Sequence, residues 1–277
     1  MLRRCAFRYS ISMLVISYGI PKSGSTLAFE LIRGILENAG HPQEVVHNSR
    51  TRGEDGGEAP KRNFLAKADR EIVAGLIAKI GPGRIIAVKS HARLEREDFA
   101  WFEERQRAGE LKVIASFRDP RDVALSLVDA GRKSRELHGG DRAFARIGDL
   151  DQALRRVEKR IKDFRRWAAL EGTLRLNYED VAFQPDKAIA AVEQALGLSA
   201  DHDAVKRHAF DEASTQRNKG VSRRHEQELD EAQAKILRRR FRSFLRNVCE
   251  RDQQRWFDIC RERVLHPKAP PAGDASV

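Results

Sequence analysis

The octapeptide Gly19-Ile20-Pro21-Lys22-Ser23-Gly24-Ser25-Thr26 lies between an apolar run and a helical pattern, and it has the composition of an anion cradle. Glycines let a phosphate approach the backbone, while a helix start offers free N–H groups and the positive end of a dipole. Lys22 adds a full charge, and Ser23, Ser25 and Thr26 add hydroxyl donors. The glycine spacing of the Walker pattern GxxxxGK[ST] is kept by Gly19 and Gly24. Ser25, however, stands at the lysine position, and the lysine sits three residues earlier. A nucleoside triphosphatase would lose its main γ-phosphate contact by that move, whereas phosphate binding as such survives it.

A second group of anion-binding residues begins at Arg118, at the end of another apolar run. A guanidinium there can fork onto a phosphate with two parallel hydrogen bonds, a geometry that lysine lacks. Ser126 lies about two helical turns further on and can donate a hydroxyl to the same group. Arg121 is better explained by pairing with its acidic neighbours Asp119 and Asp122. Lys89-Ser90-His91 closes a third apolar run, and no acidic residue follows it where a Mg²⁺-binding aspartate would stand.

The elements that must position these residues alternate between two periods. The β-branched runs MLVISY (13–18), RIIAVK (84–89) and LKVIASF (111–117), with a short LRLN (174–177), read as strands buried on both faces. Helical spacing follows: Leu27, Leu31 and Ile35 stopped by Gly40, then 67–80, 95–107, 149–170 and 186–196. Asp119 suits an N-cap and Pro120 the first helical position. The alternation predicts an α/β fold: a central parallel sheet with helices on both faces and a helical C-terminal third; the Walker-like glycine spacing after the first strand makes the expected fold P-loop NTPase-like. Residues 1–265 read as one domain, 48–63 as a long polar loop, and 266–277 as a disordered tail.

PKSGST at 21–26 resembles the 5′-phosphosulfate loop of the sulfotransferases that use 3′-phosphoadenosine 5′-phosphosulfate (PAPS), and Arg118 with Ser126 resembles their 3′-phosphate motif. Tyr178-Glu179-Asp180 is similar to a downstream element of the same family, and Lys89-Ser90-His91 to its Lys-Thr-His segment. The resemblance spans roughly residues 13 to 245. It implies transfer of a sulfuryl group from PAPS to a hydroxyl, less readily to an amine, with Lys22, Lys89 and His91 catalytic and His91 the general base. An imidazole with a pKa near 6.5 suits that task.

The resemblance further assigns donor binding to Lys22, Ser23, Gly24, Ser25, Thr26, Arg118, Ser126 and Tyr178. The family's Arg-Lys-Gly stretch falls on Arg217-Asn218-Lys219-Gly220, where Asn218 replaces the arginine and Arg217, Lys219 and Gly220 remain as candidates. No metal is implied. A P-loop kinase or NTPase-like phosphotransferase, or an inactive nucleotide-binding homologue, are the alternative readings.

Composition narrows the partners. The 277 residues carry 52 Lys and Arg against 41 Asp and Glu, a net charge of +11 that favours anionic ligands. Tyr and Trp number only three each, with no aromatic run among the basic residues to stack bases, which argues against nucleic acid. Cys5, Cys249 and Cys260 fit neither a zinc site nor a disulfide framework, so a cytoplasmic setting is expected. The longest apolar run, 11–20, is shorter than the roughly 20 residues of a membrane span. The expected partner is a small-molecule or glycan hydroxyl acceptor; neither the acceptor nor the oligomeric state is encoded in a motif.

Overall fold

Alternate side chains of the first strand leave for opposite sides of a sheet, and two separate cores result. The computed structural model describes residues 12–46, 63–138, 144–213, 220–249 and 254–267. Its strands are β1 (Met13–Gly19), β2 (Phe64–Leu65), β3 (Ile85–Ser90), β4 (Leu111–Phe117) and β5 (Leu174–Asn177), all parallel, in the order β2-β3-β1-β4-β5. Leu14, Ile16 and Tyr18 of β1 join Val113, Ala115 and Phe117 of β4 in one core, whereas Val15 and Ile114 face the other.

The chain before β5 supplies α1 (Ser25–Asn38), α2 (Arg70–Ile77), α3 (Phe99–Arg107), α4 (Pro120–His138) and α5 (Leu150–Ala169). After β5 come α6 (Tyr178–Phe183), α7 (Pro185–Leu196) and α8 (His202–Arg207). The C-terminal part carries α9 (His225–Glu228), α10 (Glu231–Arg240), α11 (Arg242–Phe244) and α12 (Gln254–Leu265). On one face α1 and α7 lay Leu31, Ile35, Ile189 and Val192 on the sheet. On the other, Phe164 and Trp167 of α5 pack with Phe102, Phe244 and Phe257. Helices on both faces and a helical C-terminal part are therefore present as expected.

Two features position the site. Asp119 caps α4, its carboxylate accepting from the Arg121 N–H at 2.8 Å, and it also holds the Arg121 guanidinium at 2.6 Å. That placement sets Arg118 at the junction of β4 and α4. Trp167 is fully buried, stacks on Tyr18 at 5.4 Å, and donates its indole N–H to the Ala92 carbonyl at 2.9 Å. The stack ties α5 to β1, and the indole hydrogen bond ties it to the segment that leaves β3.

The structure also holds a strand that sequence patterning does not reveal. Phe64 and Leu65 pair with Lys89 and Ser90, and the Ser90 hydroxyl donates to the Leu65 carbonyl at 2.9 Å. A two-residue strand carries no period, so its only mark is the register of its partner. The expected 48–63 loop apart from Asn63, the candidates Arg217 and Lys219, and the expected tail from residue 268 onward lie outside the described residues. Among the described residues no helix is long and apolar enough to cross a membrane.

Candidate functional site

At the carboxyl edge of the sheet the ends of β1, β3, β4 and β5 open onto one cavity of about 560 Å³. Ligands of open α/β sheets bind at this edge. Lys22, Gly24, Ser25, Thr26, Lys89, His91, Arg118, Ser126, Tyr178 and Gly220, all proposed from sequence, line it. Ser23 does not. Its N–H and its hydroxyl both reach the Ile20 carbonyl, at 3.0 and 2.7 Å, so this hydroxyl is spent on closing the turn. A buried hydroxyl takes the acceptor within its reach, and for Ser23 that acceptor is the Ile20 carbonyl rather than the cavity.

The loop has a strained backbone for a reason visible in its neighbours. Lys22 sits at φ 71°, in the left-handed region, and Gly24 at φ 78° leads into α1. No side chain caps α1, and the first-turn residues Ser25, Thr26 and Leu27 line the cavity. Their N–H groups are the orphan donors of a helix start. Tyr178 packs so tightly on Gly24 that a Cβ there would collide with its ring.

Gly24→Ala combines left-handed strain, roughly 1 kcal/mol, with overpacking of about 1–3 kcal/mol. The melting temperature of that variant is expected to fall by roughly 5–10 °C. A thermal denaturation curve superimposable on that of the unsubstituted protein would contradict the packing described.

Arg118 is built into the same site across the Tyr178 ring. Its guanidinium lies 4.0 Å from the Tyr178 ring centroid, donates to the Val221 carbonyl at 3.0 Å, and stands 3.5 Å from the Asp122 carboxylate. Its Nε is buried without a hydrogen-bond partner. Asp122 is itself clamped by the N–H of His225 at 2.9 Å and by its imidazole Nδ1 at 2.8 Å. Burial alone would raise the Asp122 carboxyl, but the His225 hydrogen bonds and the Arg118 charge outweigh it and hold the pKa below the usual carboxylate range. The result is an arginine fixed on three sides.

The end of β3 supplies the remaining groups. Lys89 donates from Nζ to the Thr26 hydroxyl at 2.7 Å, which ties the strand end to the loop. His91 Nδ1 lies 2.6 Å from the Gly19 carbonyl. A carbonyl only accepts, so Nδ1 carries the proton and Nε2 keeps its lone pair. Burial first, then the Lys89 ammonium and more weakly Arg160, push the imidazole pKa down to about 3, against the raising effect of the Gly19 hydrogen bond. Lys22 places its ammonium 5.8 Å from the Phe144 ring centroid, and both residues line the cavity.

Several lining residues escape the sequence reading. Arg156 and Arg160 come from α5, Phe183 from α6, Phe210 from the π-helical turn His208–Glu212, and Arg224 from just before α9. The i, i+4 spacing of Arg156 and Arg160 was a visible signal, but a basic helix face is ordinarily solvated. Arg224 is 2% exposed and bonds Asp129 and Glu228 at 2.8 and 2.7 Å, while its Nη1 is buried without a partner.

A strand, a glycine-bounded loop and a helix start at the carboxyl edge of a parallel sheet, with helices on both faces, define a P-loop NTPase-like α/β protein. Residues 13–254 match the family model described as the sulfotransferase domain, and the chain belongs to that family. Among solved structures it is similar to a mouse sulfotransferase complexed with PAP, at 15% identity and TM-score 0.47, covering 89% of this chain and 87% of that one. It is similar also to a sulfotransferase from Alicyclobacillus acidocaldarius, at 15% identity and TM-score 0.39, with 92% and 96% covered. A sulfotransferase domain of the curacin biosynthetic pathway follows at 16% identity and TM-score 0.38, with 76% and 83% covered. Comparison with curated proteins gave no significant match.

Proposed function

We propose that this protein transfers a sulfuryl group from PAPS to the hydroxyl of a small-molecule or glycan acceptor. The observation that carries the reading is the convergence of two separate anion-gripping segments, the 21–26 loop and Arg118 with Ser126, on one cavity that also receives Lys89 and His91. Two grips fit a nucleotide phosphorylated at both its 5′ and 3′ positions. A nucleoside triphosphate would leave Arg118 and Ser126 without a ligand.

In the proposed reaction the acceptor oxygen attacks sulfur in line as the bond from sulfur to the bridging 5′-phosphate oxygen breaks. His91 Nε2 takes the hydroxyl proton, and the leaving adenosine 3′,5′-bisphosphate takes the electron pair. Lys22, the α1 N–H groups, Ser25 and Thr26 hold the phosphate on which negative charge grows. Lys89, already fixed on Thr26, steadies the transferring oxygens. The chain's contribution is position and charge, prepared before the donor arrives.

Arg118→Ala tests the donor assignment. Charge-assisted hydrogen bonds lost from a buried site are worth roughly 1.5–3 kcal/mol, so the Kd for adenosine 3′,5′-bisphosphate is expected to rise about 10- to 100-fold. Titration calorimetry giving an unchanged Kd removes Arg118 from the 3′-phosphate site. Mg²⁺-dependent hydrolysis of ATP, with no binding of the bisphosphate, would favour a phosphotransferase instead.

A further inference from the structure

The order of the strands separates the cavity into two ends. Arg118 and Tyr178 close β4 and open α6 on one side of β1, whereas Lys89 and His91 stand at the end of β3 on the other. On the sulfuryl-transfer reading, on which this inference rests, the bisphosphate occupies the first side and the acceptor approaches from the second. The wall of that second side is α5. Three of its side chains grip successive carbonyls of the chain leaving β3: Arg160 on His91 at 3.2 Å, Trp167 on Ala92 at 2.9 Å and Arg166 on Leu94 at 2.9 Å.

Arg156 lies one turn before Arg160 and lines the same cavity, half-buried. Positions three and four residues away on the helix are Gln152, Ala153, Lys159 and Arg160, so no carboxylate can reach it along its own face. Glu158, the nearest acid in sequence, is held by Arg240 at 2.6 Å. Arg156 makes no hydrogen bond or ion pair with any described residue, and its Nε is enclosed without a partner. Arg160 shares Asp163 at 3.3 Å, Arg118 has Asp122, and Arg224 has Asp129 and Glu228. Among the described residues, no Asp or Glu lines the cavity.

We propose that the acceptor is an acid: a hydroxyl compound whose carboxylate, sulfate or phosphate group is bound by Arg156 beside Arg160. A guanidinium fork suits all three oxyanions. Burial, and then the charge of Arg160, already hold the Arg156 pKa below its ordinary value. An anion placed between the two arginines relieves both costs, and it brings its own hydroxyl toward His91. The donor uses Lys22 and Lys89, which leaves Arg156 as the charge that selects the acceptor.

The test uses matched hydroxyl probes with saturating PAPS. These are 4-nitrophenyl glucuronide against 4-nitrophenyl glucoside, glucose 6-phosphate and glucose 6-sulfate against glucose, and 4-hydroxyphenylacetate against its amide. Sulfation is measured, and so is calorimetric binding to the enzyme saturated with adenosine 3′,5′-bisphosphate. At least one acidic probe is expected to exceed its neutral partner by roughly tenfold to a hundredfold in kcat/KM or affinity. The pairs tell which oxyanion is preferred.

Arg156→Gln is expected to abolish that preference without changing the Kd for the bisphosphate, and Arg156→Lys to restore part of it. Equal treatment of every pair, or absence of binding by all acidic probes to the bisphosphate complex, overturns the proposal. So does a preference that survives in Arg156→Gln. Weaker bisphosphate binding in that variant would place Arg156 on the donor instead. Failure of the unsubstituted protein to bind the bisphosphate at all overturns the sulfotransferase reading itself, and this inference with it.

Discussion

Replacing Lys22 by alanine is expected to lower turnover by a factor on the order of 10² to 10³, the loss seen when one charge-stabilising donor leaves a preorganised site. The effect on adenosine 3′,5′-bisphosphate binding is expected to be smaller. On the proposed reading the 5′-phosphate of the bound nucleotide has the α1 N–H groups, Ser25 and Thr26 around it, whereas the charge Lys22 answers grows only as the sulfur–oxygen bond breaks. An interaction stronger in the transition state than in the ground state changes kcat more than binding.

The backbone provides a control. Lys22 holds φ 71°, a region glycine enters at no steric cost. Lys22→Gly should therefore leave the melting temperature equal or higher while activity is lost as in the alanine variant. Activity within a few-fold of the unsubstituted protein in both variants, with PAPS saturating, would exclude Lys22 from the chemical step.

The difference between what the sequence shows and what it hides follows the range of the interactions involved. The anion loop is legible because strand, turn and helix start are contiguous, and each has its own pattern: MLVISYG, then glycines, then Leu27, Leu31 and Ile35. Arg118 is legible because the Asp119-Pro120 start of α4 marks the strand end before it. Composition could not tell which hydroxyl of the loop faces a ligand, since Ser23 and Ser25 are alike in type. Only the turn geometry assigns Ser23 to the Ile20 carbonyl.

Contacts between distant segments are invisible for the same reason. His225 clamps Asp122 from 103 positions away, and Tyr178 supports both Gly24 and Arg118 from a different strand end. The direction in which Arg156 faces depends on how α5 is seated by Trp167 on Ala92, a tertiary fact that helical periodicity does not contain. Sheet order too is set by which faces each helix covers, so the separation of the cavity into two ends emerges only in the fold.

His91 supplies the other large effect. On the proposed reading His91 is the general base, a role whose loss typically costs about 10²–10⁴ in rate, and His91→Asn isolates that loss from structural damage. An asparagine amide can still donate to the Gly19 carbonyl, as Nδ1 does now at 2.6 Å, but it has no basic nitrogen where Nε2 stands. Turnover in His91→Asn is therefore expected to fall at least about 10²-fold with the fold intact.

The pH dependence carries the sharper test. Without ligand the imidazole is depressed to about 3 by burial and by the cations Lys89 and Arg160. A donor carrying several negative charges offsets those cations, so its arrival must raise the pKa of His91 toward the ordinary range. Protonation of Nε2 abolishes the base, so kcat falls as pH drops through the pKa of the complex, and that acid limb disappears in His91→Asn. Imidazole proton resonances followed by NMR should show the His91 titration move upward when adenosine 3′,5′-bisphosphate is added. A His91 titration unmoved by saturating nucleotide, or an asparagine variant that keeps both its turnover and the acid limb, would place the proton acceptor elsewhere.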